Sequence, residues 1–142
     1  MHPWWIFINK NPYLTPKVSA LFSVLMGSEP RGYHIYEKCR FGRCLLCSNN
    51  EVDNPVHILF KCETTDIDRR QSLSKLTNLM PSEMLDFYLT LDDHSRVKFL
   101  LGGFNVKYKK ELDTVYVATA TFIYSMYRKR YEIYDERNKG VT

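Results

Sequence analysis

Four side chains in this sequence have the types and spacing to share one ion: Cys44 and Cys47, then His57 and Cys62. A Cys-x2-Cys pair turns two thiolates toward one point through a tight turn, and His-x4-Cys supplies two more ligands from about one helical turn. Together they complete the tetrahedral shell of a structural zinc site. Nine residues separate the pairs; the connection from Ser48 to Pro55 is polar and rich in turn formers, and nothing in it reads as core. Four protein ligands fill the shell and leave no position for water or substrate, which makes such a metal architectural. Cys39 lies five residues before Cys44, a poorer fit to a knuckle, and stays outside the shell. Two other readings of the same cysteines remain: buried thiols acting as small hydrophobes, or disulfides if the chain is secreted.

The approach to the first ligand interleaves cations and rings: Arg31, Tyr33, Tyr36, Lys38, Arg40, Phe41 and Arg43. Cations meet phosphates and aromatic faces stack on unpaired bases, the combination used by proteins that bind single-stranded RNA or DNA. The alternative is a solvated basic face. A second basic group, Lys107, Lys109 and Lys110 followed by Arg128-Lys129-Arg130, is diluted by Glu111, Asp113, Glu132, Asp135 and Glu136 and reads as a solvated helix face. Catalytic constellations are missing. Leu91-Asp92-Asp93 sits ahead of a helix, where a turn and an N-cap account for both carboxylates. His2, His34 and His94 are scattered, and the sequence has no Gly-rich phosphate loop, nucleophile elbow or H-E-x-x-H pattern. The expectation is a protein that is not an enzyme.

The wording of residues 18–76 goes beyond spacing. Leu25-Met26-Gly27, the basic residues around Tyr33 and Tyr36, Cys44-Leu-Leu-Cys47, His57-Ile-Leu-Phe-Lys-Cys62 and then Arg69-Arg70 resemble the zinc-binding region near the C-terminus of non-LTR retrotransposon reverse transcriptases. That family runs from a Leu-x-Gly segment through a basic stretch into Cys-x2-Cys, an acidic turn, a His-to-Cys segment and an arginine about seven residues on. Ser48 stands where the family usually has Gly, and Ser28 where it usually has His. The family's polymerase palm does not fit in the residues ahead of this region, so the resemblance implies a C-terminal fragment or a host-adopted remnant. It also implies zinc as cofactor, template RNA or target DNA as ligand, and a reverse transcriptase body as a possible protein partner.

The elements that must position these residues are helical. Residues 1–13 read as an extended or irregular lead-in whose Trp4, Trp5 and Phe7 cap the core. Thr15 and Pro16 open a helix with Val18, Leu21, Phe22 and Leu25 at helical spacing up to Gly27. Thr64 or Thr65 opens another, with Ile67, Leu73 and Leu76 inward and Arg69, Arg70 and Lys75 outward. Pro81-Ser82-Glu83 starts a short helix through Leu89, and Asp93 caps His94 to Leu101 before Gly102-Gly103 ends it. From about Lys109 to Arg137 the chain has no Pro or Gly, and Leu112, Val115, Thr119, Phe122, Ile123, Met126 and Ile133 lie on or near one stripe. The β-branched residues there lower helicity, so packing must hold it.

The fold class expected is mainly α: a small helical domain with an irregular CCHC zinc knuckle. Its segments are residues 1–38 (aromatic lead-in and first helix), 39–76 (zinc-binding segment and following helix) and 77–142 (C-terminal helices on the same core). With 142 residues, 44% hydrophobic and 25% charged, the chain has material for one core and too little for a multidomain enzyme. A net charge of +4 permits a polyanionic partner without requiring one. The longest apolar stretches, such as Trp4 to Ile8, fall far short of the roughly 20 residues that cross a bilayer. The N-terminus has no basic n-region or long h-region, so the protein is expected inside the cell, nuclear or cytoplasmic. Two functions follow: a non-catalytic nucleic-acid-binding module, or an interaction domain docking a partner through its aromatic N-terminus and long C-terminal helix.

Overall fold

The computed structural model describes residues 2–26, 42–49 and 51–139, and the protein is mainly helical. Helix α1 spans Pro3–Lys10, where the sequence suggested an irregular lead-in. Its start is well made: His2 is extended, its Nδ1 accepts a hydrogen bond from Trp4 N at 3.2 Å, and Pro3 occupies the first turn. An aromatic-rich helix of 8 residues has little intrinsic stability. Burial of Trp4, Phe7 and Ile8 holds it in place. A 3-10 turn over Pro12–Leu14 leads into α2, Thr15–Leu25, so Thr15 lies inside the first turn and donates to Pro12 O at 2.7 Å.

Helix α3 spans Asp66–Leu79, α4 Ser82–Leu89 and α5 Asp93–Leu101. The cap of α5 is Asp92, one residue earlier than expected, accepting from Ser95 N at 2.8 Å. After α5 the backbone turns left-handed at Gly103, Phe104 and Asn105. Gly103 has a second reason to lack a side chain, since a Cβ there would lie 2.6 Å from Pro3 of α1. A 3-10 turn at Lys110–Leu112 then opens α6, Asp113–Asn138.

Helix α6 is the axis of the molecule, with α2, α3, α1 and the segment that follows His57 packed along it. The main core joins Trp4, Phe7, Leu21, Leu76, Leu100, Phe104, Tyr116 and Phe122. At its centre Trp4 meets Tyr116 edge-on at 4.7 Å and donates its indole N–H to Leu100 O at 3.2 Å. A smaller cluster, Cys44, Leu46 and Cys62, packs against Cys47, Tyr131, Ile133 and Tyr134. The first half of α6 therefore belongs to the aromatic core and its last turns to the cysteine cluster. Among the described residues, no helix is long and apolar enough to cross a membrane.

Two arginines depart from the expected pattern. Arg69 is buried at 5% exposure while Ile67, expected inward, is 72% exposed. Arg130, expected on a solvated face, is buried and paired with Asp53, which is itself buried although the loop that holds it read as wholly polar surface. In both cases hydrogen bonding supplies what burial of a guanidinium requires.

Candidate metal centre

Cys44 and Cys47 sit at the end of a narrow backbone ladder. Arg43 and Val52 form an antiparallel bridge, Asp53 N donates to Gly42 O at 2.8 Å, and Cys44 N donates to Glu51 O at 2.8 Å. Gly42 takes φ +68, the left-handed conformation that favours glycine. Past the ladder, Leu46 N donates to Cys44 Sγ at 3.4 Å. The Leu46 carbonyl accepts from Thr64 Oγ1 and from Arg137 Nη1, each at 2.7 Å. The hairpin is thus tied to both the next segment and the end of α6.

His57 and Cys62 come from a different device. Residues five apart on an α-helix point about 140° away from each other. Here the segment His57–Lys61 is a π-helical turn, closed by Cys62 N donating to His57 O at 2.8 Å. The wider i→i+5 turn brings both side chains to one side. Asn54 and Pro55 start it: the Asn54 side chain accepts from His57 N at 2.9 Å, and Pro55 needs no donor in the first turn.

The four ligand atoms converge, all within 4.8 Å of one another, and the four residues lie close enough to hold a metal ion. A tetrahedral ion with bonds of about 2.3 Å to sulfur and about 2.0 Å to nitrogen places two sulfurs roughly 3.8 Å apart and a sulfur and nitrogen roughly 3.6 Å apart. The Cys44 and Cys62 sulfurs are 3.9 Å apart, and Cys47 Sγ is 3.5 Å from His57 Nε2. These two separations, and the ligand types, fit such an ion. His57 Nδ1 is buried without a hydrogen-bond partner among the described residues, so Nε2 is the nitrogen presented to the sulfurs.

Protons are divided unequally among the thiols. The hydrogen bond from Cys62 pushes Cys44 down to about 3. That same contact, together with burial, pushes Cys62 up, and burial pushes Cys47 up. Taking a cation would require the remaining thiols to release protons, so metal binding at this cluster would be proton-coupled.

The four residues picked out by spacing therefore lie close together. Of the basic and aromatic approach, Arg43 is exposed at the bridge beside Cys44. Arg31, Tyr33, Tyr36, Lys38, Arg40 and Phe41 lie outside the described residues, as does Cys39. Sequence reasoning missed Asp53, Arg130 and Arg137, and it singled out Arg69 but placed it outward; these charged groups hold the segments that carry the four candidate ligands. Arg130 Nη2 donates to Asp53 Oδ2, joining α6 to the loop between the ligand pairs. The available signal was positional, since Arg69 and Arg130 each continue an apolar stripe on their helix. No family model, curated protein or solved structure matches the chain.

Proposed function

We propose that this chain is a non-catalytic, zinc-stabilised module that binds single-stranded RNA or DNA inside the cell, in the nucleus or cytoplasm. In this reading its role is like that of the zinc-binding region beside a retrotransposon reverse transcriptase. The observation that carries it is the closed set of three sulfurs and one nitrogen, reached directly from the basic and aromatic stretch 31–43. Three thiolates and an imidazole within 4.8 Å of one another suit zinc, and a full shell suits architecture more than catalysis. The metal supplies a fixed cross-link between the hairpin and the π-turn. The chain's own residues supply the contacts: Arg31, Lys38, Arg40 and Arg43 for phosphates, Tyr33, Tyr36 and Phe41 for bases.

The test is elemental analysis of purified protein together with binding to single-stranded and duplex oligonucleotides at about 50 and 200 mM salt, a range over which phosphate-dominated affinity falls steeply. One zinc per chain and salt-sensitive binding that Arg40→Ala with Arg43→Ala weakens is the expected result. A metal-free folded protein, or binding indifferent to salt, defeats the reading. Trp5 is 50% exposed and stacked on Phe22 at 4.9 Å, and its fluorescence provides a second signal beside the buried Trp4.

A second reading, docking of a protein partner, is favoured by one feature. A groove of about 400 Å³ runs beside α4 and the loop after α5, lined by Met84, Phe87, Phe99, Phe104 and Val106, with Phe87 and Val106 exposed. Trp4 and Phe7 are spent in the core, so of the aromatic N-terminus Trp5 is left for such a partner, and this groove offers it further apolar surface. Salt-indifferent association lost in Phe87→Ser distinguishes it from nucleic-acid binding.

A further inference from the structure

We infer that Arg69 is a positioning residue of the metal centre, selecting the π-helical register that brings His57 and Cys62 together; this rests on the metal-binding reading of the four ligands. The turn His57–Lys61 ends abruptly, with Cys62 extended at φ −60 and ψ 120. Carbonyls in the last turn of a helix lack intrahelical donors. Arg69, arriving from α3, supplies them: Nε donates to Leu59 O at 3.0 Å and Nη2 to Cys62 O at 2.6 Å. Nη2 also reaches Thr65 Oγ1 at 3.2 Å, and Nη1 reaches Asp66 Oδ1 at 3.4 Å. Asp66 is itself paired with exposed Arg70 at 2.7 Å.

The planar fork explains why the residue is arginine. Two donors on one rigid group fix the separation of two carbonyls three residues apart, one inside the turn and one on a ligand residue, which a single ammonium cannot do. Tightening the turn to an α-helical register swings His57 and Cys62 apart and moves the carbonyls out of that fork. Arg69 touches no ligand atom in these contacts; it acts through the backbone of the turn that carries two of the ligands.

The experiment compares full-length wild type, Arg69→Ala, Arg69→Lys and Arg70→Ala. Zinc affinity is read by competition with a chromophoric chelator, and ligand geometry by the visible bands of the Co2+-substituted protein. Arg69→Ala is expected to bind zinc about 10- to 100-fold more weakly, the range for groups that orient metal ligands, with altered Co2+ bands. Arg69→Lys should recover part of the affinity, and Arg70→Ala should match wild type because it removes an equal charge one residue away. If Arg69→Ala fails to fold, Arg69→Lys decides: weakened affinity with altered bands supports the role, and wild-type values overturn it. Wild-type affinity and bands in folded Arg69→Ala also overturn it while leaving the metal centre standing. A wild-type protein that takes no metal overturns the reading beneath it as well.

Discussion

Tyr88 and Tyr116 show at the residue scale what the aromatic core demands. Both phenols are buried, and burial pushes each up to about 12. For Tyr88 the Arg96 guanidinium, 4.6 Å from the ring centre, opposes that rise. The folded protein therefore favours the neutral phenol, whereas the unfolded chain ionises near its ordinary value of about 10. The stabilisation is complete below pH 10 and is lost as pH climbs toward 12. Alkaline titration should show tyrosinate absorbance from these two residues, and from Tyr108, which burial and the hydrogen bond to Asp113 also push up to about 12, appearing together with loss of helical circular dichroism in that window. Early titration of Tyr88→Phe and Tyr116→Phe variants and wild type alike, with helicity unchanged, would show that other tyrosines account for the signal. The ring neighbours make Tyr116 the more consequential of the two, since Trp4, Phe7, Phe104 and Tyr108 all pack on it.

At the scale of the element, α6 carries the buried ion pair that joins it to the loop between the ligand pairs. Removing one member leaves the other buried without this partner, a loss of about 3–5 kcal/mol for such pairs. Arg130→Ala is expected to fall in that range by denaturant unfolding, and Asp53→Leu with Arg130→Met should lose far less because neither charge remains. Equal losses in the single and double variants would assign the cost to packing instead. The stripe of α6 was legible in the sequence from Val115 through Thr119, Phe122 and Met126, and the next step of that spacing lands on Arg130. The same holds on α3, where counting back from Leu76 and Leu73 reaches Arg69 and passes over Ile67. Hydrophobicity alone placed both arginines outside, because their burial depends on carbonyls and a carboxylate contributed by distant segments. The ligand set was legible because its spacing is local. Of the π-turn only a helical turn was legible; its register was not, since the i→i+5 closure depends on groups from other segments. Helix α1 was hidden for a similar reason: its cap is a histidine and its stability comes from contacts with residues about a hundred positions away.

The whole molecule is two clusters on one rod. Leu112 to Tyr127 lie in the aromatic core, while Tyr131, Ile133 and Tyr134 pack on the ligand-bearing residues. Arg137 adds the tie to Leu46 O at 2.7 Å. Chelation should consequently loosen one end more than the other. Hydrogen exchange is expected to accelerate over 42–62 and 130–138 when metal is withdrawn, with 112–127 still protected. Uniform acceleration along α6 would mean the two clusters unfold as one unit. The 26 residues of α6 span about 39 Å at the usual helical rise. If its final turns fray whenever the ion departs, the length of ordered rod follows the free concentration of that ion. The response is centred on the dissociation constant; well above it the site is full, and each tenfold rise in free metal adds about 1.4 kcal/mol of stability without lengthening the rod. The C-terminal tip of the helix then behaves as a gauge, extended where the ion is plentiful and shortened where it is scarce.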